Sequence, residues 1–270
     1  MHMIDFKFNG EKLSDHLLMI CSFSGSEDTT PIGNNISINK VKAPNSDKYM
    51  SVGYAYDDAF NLEFSICKNT CETDELIINP TELNTIVRWL NRKTHCIFKP
   101  IYDDNSFSEV FYRGTFNIEL VNSDEGIIGL NLTFNTDAPY GYQDQKTYEH
   151  TFSSSTDTFI INDVSDEVGY LYAEATIILN ESGNLRIKNS LDPDNEIYIE
   201  NCKNGETIKL YGEQKIIEAP SSHNNIYNDF NYNFFRVNNT YDNKENVYTS
   251  NLKCKITVKY YPVRKVGIIL

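Results

Sequence analysis

The sequence lacks any hydrophobic run long enough to cross a membrane. No segment approaches the roughly 18 apolar residues that a transmembrane helix needs, and no apolar segment follows the N-terminus as in a secretion signal. We therefore expect neither membrane insertion nor export by the general pathway. We also expect the natural chain to begin at Met3.

Basic residues are scarce as well. The 270 residues include 24 Lys and Arg against 38 Asp and Glu, which gives a net charge of −14. Proteins that bind nucleic acid depend on clustered Lys and Arg side chains to neutralise phosphates. Because the acidic excess extends over both halves of the chain, the composition argues against a nucleic-acid-binding function.

The motifs of common catalytic and cofactor sites are missing. The sequence has no glycine-rich phosphate loop and no G-x-S-x-G nucleophile motif. Cys67 and Cys71 form a C-x3-C pair without a second pair, which is a poor zinc signature. We expect the cysteines to be reduced core thiols, and no histidine pair has the spacing of helical metal ligands. The six cysteines are Cys21, Cys67, Cys71, Cys96, Cys202 and Cys254. The five histidines are His2, His16, His95, His150 and His223.

Three pairs of adjacent acidic residues, and one adjacent His-Cys pair, could in principle act in catalysis. A glycosidase needs two carboxyl groups that face each other across a sugar, but adjacent acids on a strand point to opposite faces. The same alternation argues against a His95–Cys96 dyad. The acid pairs are Asp57-Asp58, Asp103-Asp104 and Asp166-Glu167.

The segment Asp192-Pro193-Asp194-Asn195-Glu196 is rich in oxygen ligands. It lacks the twelve-residue spacing of a calcium loop, so it is interpreted as a turn between strands. We thus predict no catalytic, cofactor-binding or metal-binding residues, no cofactor, and no enzymatic activity.

Alternation of apolar and polar residues with a period of two dominates the chain. It predicts antiparallel strands with one buried face, so the fold class is mainly β. Turn signals such as Ser182-Gly183 and Asn204-Gly205 separate the shorter candidates. The predicted strands include 62–66, 110–120, 130–134, 175–179, 185–188, 197–202, 207–211 and 252–260.

One segment has the period of a helix instead. Its apolar residues follow the i, i+3, i+4, i+7 pattern. Asn79 suits the N-cap, Pro80 the first helical position, and Glu82 the third, which completes a capping box. The pattern predicts a single helix from about residue 80 to 92, laid across a sheet and bordered by Trp89. The apolar stripe is Leu83, Ile86, Val87 and Leu90.

Pro139 and Gly141, followed by a polar stretch, indicate a domain boundary near residue 142. We expect domains at 3–141 and 142–270, the second made of strands only, with Asn-rich loops at 223–233 and 238–246 as solvated connections. An aromatic cluster in the second domain either joins the core or lines a sugar-binding face or a protein interface. The cluster is Tyr227, Phe230, Tyr232, Phe234 and Phe235.

Several short segments occur along the chain in a recognisable order. They are Phe6-Lys7-Phe8-Asn9-Gly10, Trp89-Leu90, Phe111-Tyr112-Arg113-Gly114, Asp137-Ala138-Pro139-Tyr140, Gly183-Asn184-Leu185-Arg186-Ile187 and Val258-Lys259-Tyr260-Tyr261-Pro262. With these segments the chain resembles the distal tail protein family of tailed bacteriophages, and the resemblance covers nearly the whole chain. The resemblance implies an N-terminal split β-barrel carrying one helix, and a C-terminal jelly-roll sandwich similar to galectins or carbohydrate-binding modules.

The resemblance implies a structural hub of the virion tail, assembled in the host cytoplasm. Six copies would form a ring between the tail tube and the tail-tip, baseplate or tail-fibre proteins. The tape measure protein and DNA would pass through its lumen without specific binding, and no membrane is involved. An alternative is a module that binds host-surface carbohydrate, and a further one is a tail-associated glycosidase. Fold analogy alone does not separate these functions.

Overall fold

The computed structural model describes residues 3–23, 36–45, 47–56, 59–104 and 110–265. The chain divides into two compact units. The first comprises the described residues of Met1–Gln143 and Arg264–Leu270, and the second is Asp144–Val263. Each unit has its own hydrophobic core, and both are built mainly from β-strands, which confirms the predicted fold class.

The first unit is an antiparallel sheet with one helix. Its seven-stranded sheet has the order β2-β1-β7-β8-β9-β6-β3, and it is open because β2 and β3 are its two edges. A 3-10 helix, Ser14–His16, connects β2 to β3. The strands of this unit are β1 (Met3–Phe8), β2 (Glu11–Lys12), β3 (Leu18–Cys21), β4 (Ile36–Lys42), β5 (Tyr49–Tyr56), β6 (Asn61–Lys68), β7 (Cys96–Tyr102), β8 (Tyr112–Ser123), β9 (Gly126–Thr136) and β10 (Gly141–Tyr142).

Helix α1 (Pro80–Leu90) begins at the predicted capping box. The Asn79 Oδ1 atom accepts hydrogen bonds from the Thr81 and Glu82 N–H groups, both at 3.0 Å, and Glu82 Oε2 accepts the Asn79 N–H at 2.9 Å. The predicted helix is confirmed, and it ends two residues earlier than expected. No helix in the described part of the chain has the length and apolar character needed to span a membrane.

Aromatic rings fill the core between helix α1 and the sheet. The Trp89 ring stacks on Phe6 with centroids 5.7 Å apart, and its indole N–H donates a 2.9 Å hydrogen bond to the buried Phe8 carbonyl. Phe98, Phe116 and Phe134 continue the cluster across β7, β8 and β9. The helix is therefore attached to β1 by both apolar packing and a buried polar contact.

The second unit packs two sheets face to face. Side chains from a five-stranded sheet, β11-β21-β14-β17-β18, and a four-stranded sheet, β12-β20-β15-β16, share one core. A pair, β13-β19, forms a third, smaller sheet. The remaining strands are β11 (Lys146–Phe152), β12 (Thr158–Asn162), β13 (Gly169–Tyr172), β14 (Glu174–Leu179), β15 (Gly183–Asn189), β16 (Asp192–Cys202), β17 (Thr207–Tyr211), β18 (Ile216–Glu218), β19 (Arg236–Asn239), β20 (Glu245–Ser250), β21 (Cys254–Tyr260) and β22 (Val263–Arg264).

Two expectations for the second unit are wrong. It contains a one-turn helix, α2 (Ile226–Asp229), which is too short to produce an apolar period in the sequence. The Asn-rich segment 238–246 is not simply solvated, because Asn239 and Asn246 are buried. The Asn246 Oδ1 atom accepts a 2.7 Å hydrogen bond from Asn189 Nδ2, so these amides hold neighbouring strands together.

The predicted turn at 192–196 is also wrong. Asp192 opens strand β16, and Ser190-Leu191 make the turn, since Asn189 and Asp192 are cross-strand partners. Asp192 is buried and its carboxylate accepts hydrogen bonds from the Arg236 guanidinium. That ion pair occupies both carboxylate oxygens of Asp192.

Replacing the N-cap residue tests the attachment of helix α1. Asn79→Ala removes the acceptor for two N–H groups and is expected to lower the free energy of unfolding by about 1 kcal/mol. The measurement is urea denaturation followed by Trp89 fluorescence. Asn84→Ala, an exposed amide in the middle of the same helix, is the control and should be neutral; equal losses in both variants would contradict the capping assignment.

Candidate functional site

Strands β4 and β5 form a ribbon outside the main sheet of the first unit. They pair antiparallel with each other, from Ile36 opposite Tyr56 to Lys42 opposite Tyr49, and within the described residues they join no larger sheet. Every residue of β4 is exposed, and β5 has only two half-buried positions. Because an isolated hairpin is marginally stable in water, the ribbon is a candidate interaction surface.

Apolar side chains gather on one face of the ribbon, at the end where the chain enters and leaves it. Cross-strand partners share a face, so Ile36 and Ile38 lie beside Tyr56 and Tyr54. Ile38 is 51% exposed and Tyr54 is 73% exposed. The opposite face at this end carries small or polar side chains, namely Ser37, Asn39, Gly53 and Ala55.

A β-bulge places the apolar side chains near the tip of the ribbon on the opposite face. The register shifts between Asn39 and Lys40, so that Val52 has no partner opposite it on β4. Since successive residues alternate between faces, Val41 lies on the same face as Asn39, with Met50 opposite it. Exposed apolar side chains therefore occupy both faces of the ribbon, at different distances from its tip.

The ribbon is basic in an acidic chain. Residues 36–56 contain Lys40, Lys42 and Lys48 against a single acid, Asp47, whereas the whole chain has a net charge of −14. Opposite charges attract across a protein–protein interface and steer the approach of partners. The ribbon therefore carries the opposite charge to the chain as a whole.

The acid pairs considered as catalytic candidates do not converge. Asp57-Asp58 lies outside the described residues. Asp103 and Asp104 are exposed in the loop after β7, and Asp166-Glu167 lies in a loop of the second unit. The Glu167 Oε1 atom accepts the N–H of Val168 at 2.9 Å. None of the described pairs has the facing geometry of a glycosidase.

Sequence reasoning missed a buried histidine cluster in the second unit. The His223 Nδ1 atom lies 2.7 Å from Glu206 Oε1, and Nε2 lies 3.0 Å from Asp229 Oδ2. Both carboxylates and the imidazole are at least nine-tenths buried. An imidazolium satisfies both contacts because both ring nitrogens then donate. Glu206 and Asp229 lie 17 and 6 positions from His223. This spacing matches no short motif, so no local signal could have found the cluster.

A cysteine beside this cluster has the wrong properties for a nucleophile. Burial, together with the nearby charges of Glu206 and Asp229, raises the pKa of the Cys202 thiol to about 11. A reactive cysteine needs the thiolate, which a lowered pKa supplies. The Cys202 thiol instead donates a hydrogen bond to the Ile199 carbonyl oxygen, with 3.6 Å between Sγ and the oxygen. The cluster has a structural role, because His223 links Glu206, the residue before β17, to Asp229 of helix α2.

The other histidines and cysteines are dispersed. His95 is exposed beside the half-buried Cys96, while the ring of His150 stacks on Phe159. His2 lies outside the described residues. All six cysteines are free thiols, but only Cys202 and Cys254 are buried. Cys71 is exposed and the other three are half-buried, so the expectation of six core thiols is wrong. Within the described part of the chain, no group of three or more His, Cys, Asp or Glu side chains could hold a metal ion.

The aromatic cluster divides between core and surface. Phe230, Phe234 and Phe235 are buried in the core of the second unit, whereas Tyr227 and Tyr232 are 62% and 56% exposed. The Tyr232 hydroxyl donates a 2.9 Å hydrogen bond to the Tyr227 carbonyl. Three of the five residues thus contribute to packing, and two remain available to a ligand.

Both parts of the chain match known protein families. Residues 1–138 match the phage tail protein N-terminal domain, and residues 140–260 match the phage tail C-terminal domain. The chain therefore belongs to this family of phage tail proteins, and it is a component of the virion tail. A search of curated proteins found no match.

The fold is similar to solved structures of a phage tail hub protein and of phage baseplates. The crystal structure of the SPP1 Dit (gp 19.1) protein, a paradigm of the hub adsorption apparatus in phages that infect Gram-positive hosts, has a TM-score of 0.64 at 11% identity and covers 96% of this chain and 98% of its own. Two structures of the phage P2 baseplate in its activated conformation, with Ca and with Sr, each have a TM-score of 0.51 at 9% identity. Each covers 95% of this chain, with 97% and 98% of the baseplate chain covered in turn. The predicted resemblance to distal tail proteins is confirmed.

Replacing the central imidazole tests the structural role of the histidine cluster. His223→Ala leaves two buried carboxylates facing each other, so we expect a loss of about 3–5 kcal/mol in the free energy of unfolding. Urea denaturation followed by circular dichroism measures it, with His95→Ala as the exposed control. A loss below about 1 kcal/mol, the size of an ordinary surface substitution, would contradict this role.

Proposed function

We propose that this protein is a structural, non-enzymatic hub of the phage tail, in which six copies form a ring. The ring joins the tail tube to the tail-tip, baseplate or tail-fibre proteins. The likeness of the fold to the SPP1 Dit hub protein and to the P2 baseplate supports this assignment. The chain reaches the virion by assembly in the host cytoplasm.

The observation that carries the proposal is the exposed ribbon, β4 with β5. A ring of identical copies needs a heterologous contact, in which one surface of a copy meets a different surface of its neighbour. The ribbon supplies one such surface, since Ile36, Ile38 and Tyr54 are exposed among the residues that the structure describes. Its lysines favour the acidic body of the neighbouring copy. We therefore place the ring contact on the apolar face formed by Ile36, Ile38, Tyr54 and Tyr56.

The charge of the remaining chain suits the lumen of such a ring. A pore lined mainly by acids repels the phosphates of DNA and keeps it from adhering. The tape measure protein and then DNA pass through the ring without specific binding. A basic pore in a structure of the assembled ring would contradict this part of the proposal.

Charge substitutions on the two faces of the ribbon test the ring contact. Ile38→Lys with Tyr54→Lys places two charges on the apolar face, and burying them unpaired is costly, so we expect this variant to stay a single chain. Ser37→Lys with Ala55→Lys adds the same charges to the opposite face at neighbouring positions and is the control. Light scattering and negative-stain imaging distinguish the 31.1 kDa chain from a species of six times that mass.

Two outcomes would contradict the assignment. One is a wild-type chain that stays single even when the tail tube protein is added. The other is equal assembly of both double variants. Circular dichroism of each variant shows whether a loss of assembly reflects unfolding instead.

A second candidate function is binding of host-surface carbohydrate by the second unit. The exposed rings of Tyr227 and Tyr232 favour it. The Tyr232 ring is held in place because its hydroxyl donates a hydrogen bond to the Tyr227 backbone carbonyl. Aromatic side chains with one polar end suit a partly wet binding surface.

Glycan arrays test this candidate function. We expect any signal of the wild-type chain to disappear in the double variant Tyr227→Ala with Tyr232→Ala and to persist in Tyr241→Ala, another exposed tyrosine. A wild-type chain without signal, or a signal that survives the double variant, would exclude this surface.

A further inference from the structure

A groove in the first unit runs along helix α1. It consists of three adjoining depressions of about 280, 210 and 160 Å³, and His16 lines all three. The groove begins at Glu75, passes Leu17 and His16, and ends at Arg88 and Arg92. We refer to it as the His16 groove. None of the described residues of the ribbon, β4 with β5, lines it.

The middle of the His16 groove is apolar, and ring stacking and hydrogen bonds fix the positions of the residues that form it. The His16 ring stacks on the buried Trp89 ring with centroids 4.3 Å apart, and its Nε2 atom lies 3.2 Å from Glu11 Oε2. Leu17 is 49% exposed and has a positive φ of 58°, a conformation that is uncommon for a bulky residue. Its N–H donates to the Ser14 carbonyl, and its carbonyl accepts the N–H of Asn69. The backbone thus presents an apolar side chain to the groove.

The charges of the groove are matched at one end and unmatched at the other. At the first end, the buried Lys68 ammonium lies 3.3 Å from Glu75 Oε2 and 3.0 Å from Glu82 Oε2. At the other end, Arg92 Nε donates to the Trp89 carbonyl at 3.0 Å, and Arg88 is exposed. Among the residues that the structure describes, no carboxylate lies within ion-pair distance of either guanidinium, although the chain has an excess of acids.

We propose that the His16 groove binds an acidic polypeptide segment of another protein. Its carboxylates would pair with Arg88 and Arg92, since a guanidinium presents a planar fork of donors to a carboxylate. An adjacent apolar side chain would cover Leu17 and the stacked His16 and Trp89 rings. Because Glu11 and Glu75 lie elsewhere along the groove, the acidic residues of the segment are confined to the end at Arg88 and Arg92. A continuous chain of phosphates along the whole groove would be repelled by these two carboxylates. The proposal does not depend on ring formation.

Trp89 makes the groove directly observable, because it is the only tryptophan of the chain and lies beneath His16. The probe is a peptide of one leucine followed by six glutamates, titrated into the full chain while Trp89 emission is recorded. We expect a saturable change in emission. Arg88→Glu should weaken the apparent affinity about tenfold or more, the usual size of a lost charge-assisted hydrogen bond.

Lys93→Glu is the matched control. It makes the same change of charge five residues away, on an exposed side chain that does not line the groove. Its affinity should stay near that of the wild type, and circular dichroism should be unchanged in both variants. Equal weakening in Lys93→Glu would show that the peptide responds to the general charge of this region and not to the groove, and it would overturn the proposal.

The remaining outcomes also decide the proposal. A response to sodium phosphate equal to the response to the peptide would define a small oxyanion site and overturn the assignment to a polypeptide. An unchanged emission, with no heat of binding by calorimetry, would overturn the proposal entirely. A peptide response that is unaffected by Arg88→Glu would place the peptide elsewhere.

Discussion

The hydrogen bond from the Trp89 indole to the Phe8 carbonyl fixes the arrangement of the first unit. It is buried and 2.9 Å long, and the same side chain stacks on Phe6. A buried carbonyl without a donor is costly, so the helix keeps its position to satisfy that atom. The position of the helix against the sheet, and with it the groove along the helix, follows from this attachment. The ribbon extends from a framework that does not need it for its own core.

Polar contacts have the corresponding role in the second unit. The Asp163 carboxylate accepts hydrogen bonds from Asn239, Tyr260 and Ser165, all of them buried. Asn246 and the His223 cluster make further buried contacts between strands and loops. Such networks specify one packing arrangement when each member is satisfied. The many asparagines of this unit are therefore part of its architecture and not only of its loops.

The local patterns of the sequence predicted most of the fold. Helix α1 could be placed because capping residues and an apolar stripe are encoded within twelve positions, and strands such as β9 and β21 because one face of each is buried. The ribbon could not be assigned in the same way. Ile36 and Ile38 alternate, as do Val52 and Tyr54, but neither pattern continues through the bulge, and neither marks a buried face. The His223 cluster depends on residues brought together by the fold, which no spacing in the sequence records.

The bulge at Val52 divides the ribbon into two different surfaces. At the end where the chain enters and leaves the ribbon, the exposed apolar side chains lie on one face, and toward the tip they lie on the other. One flat partner therefore covers only one of these halves. A contact on the face of Ile38 and Tyr54 leaves Val41 and Met50 on the opposite side of the ribbon, where that contact does not reach.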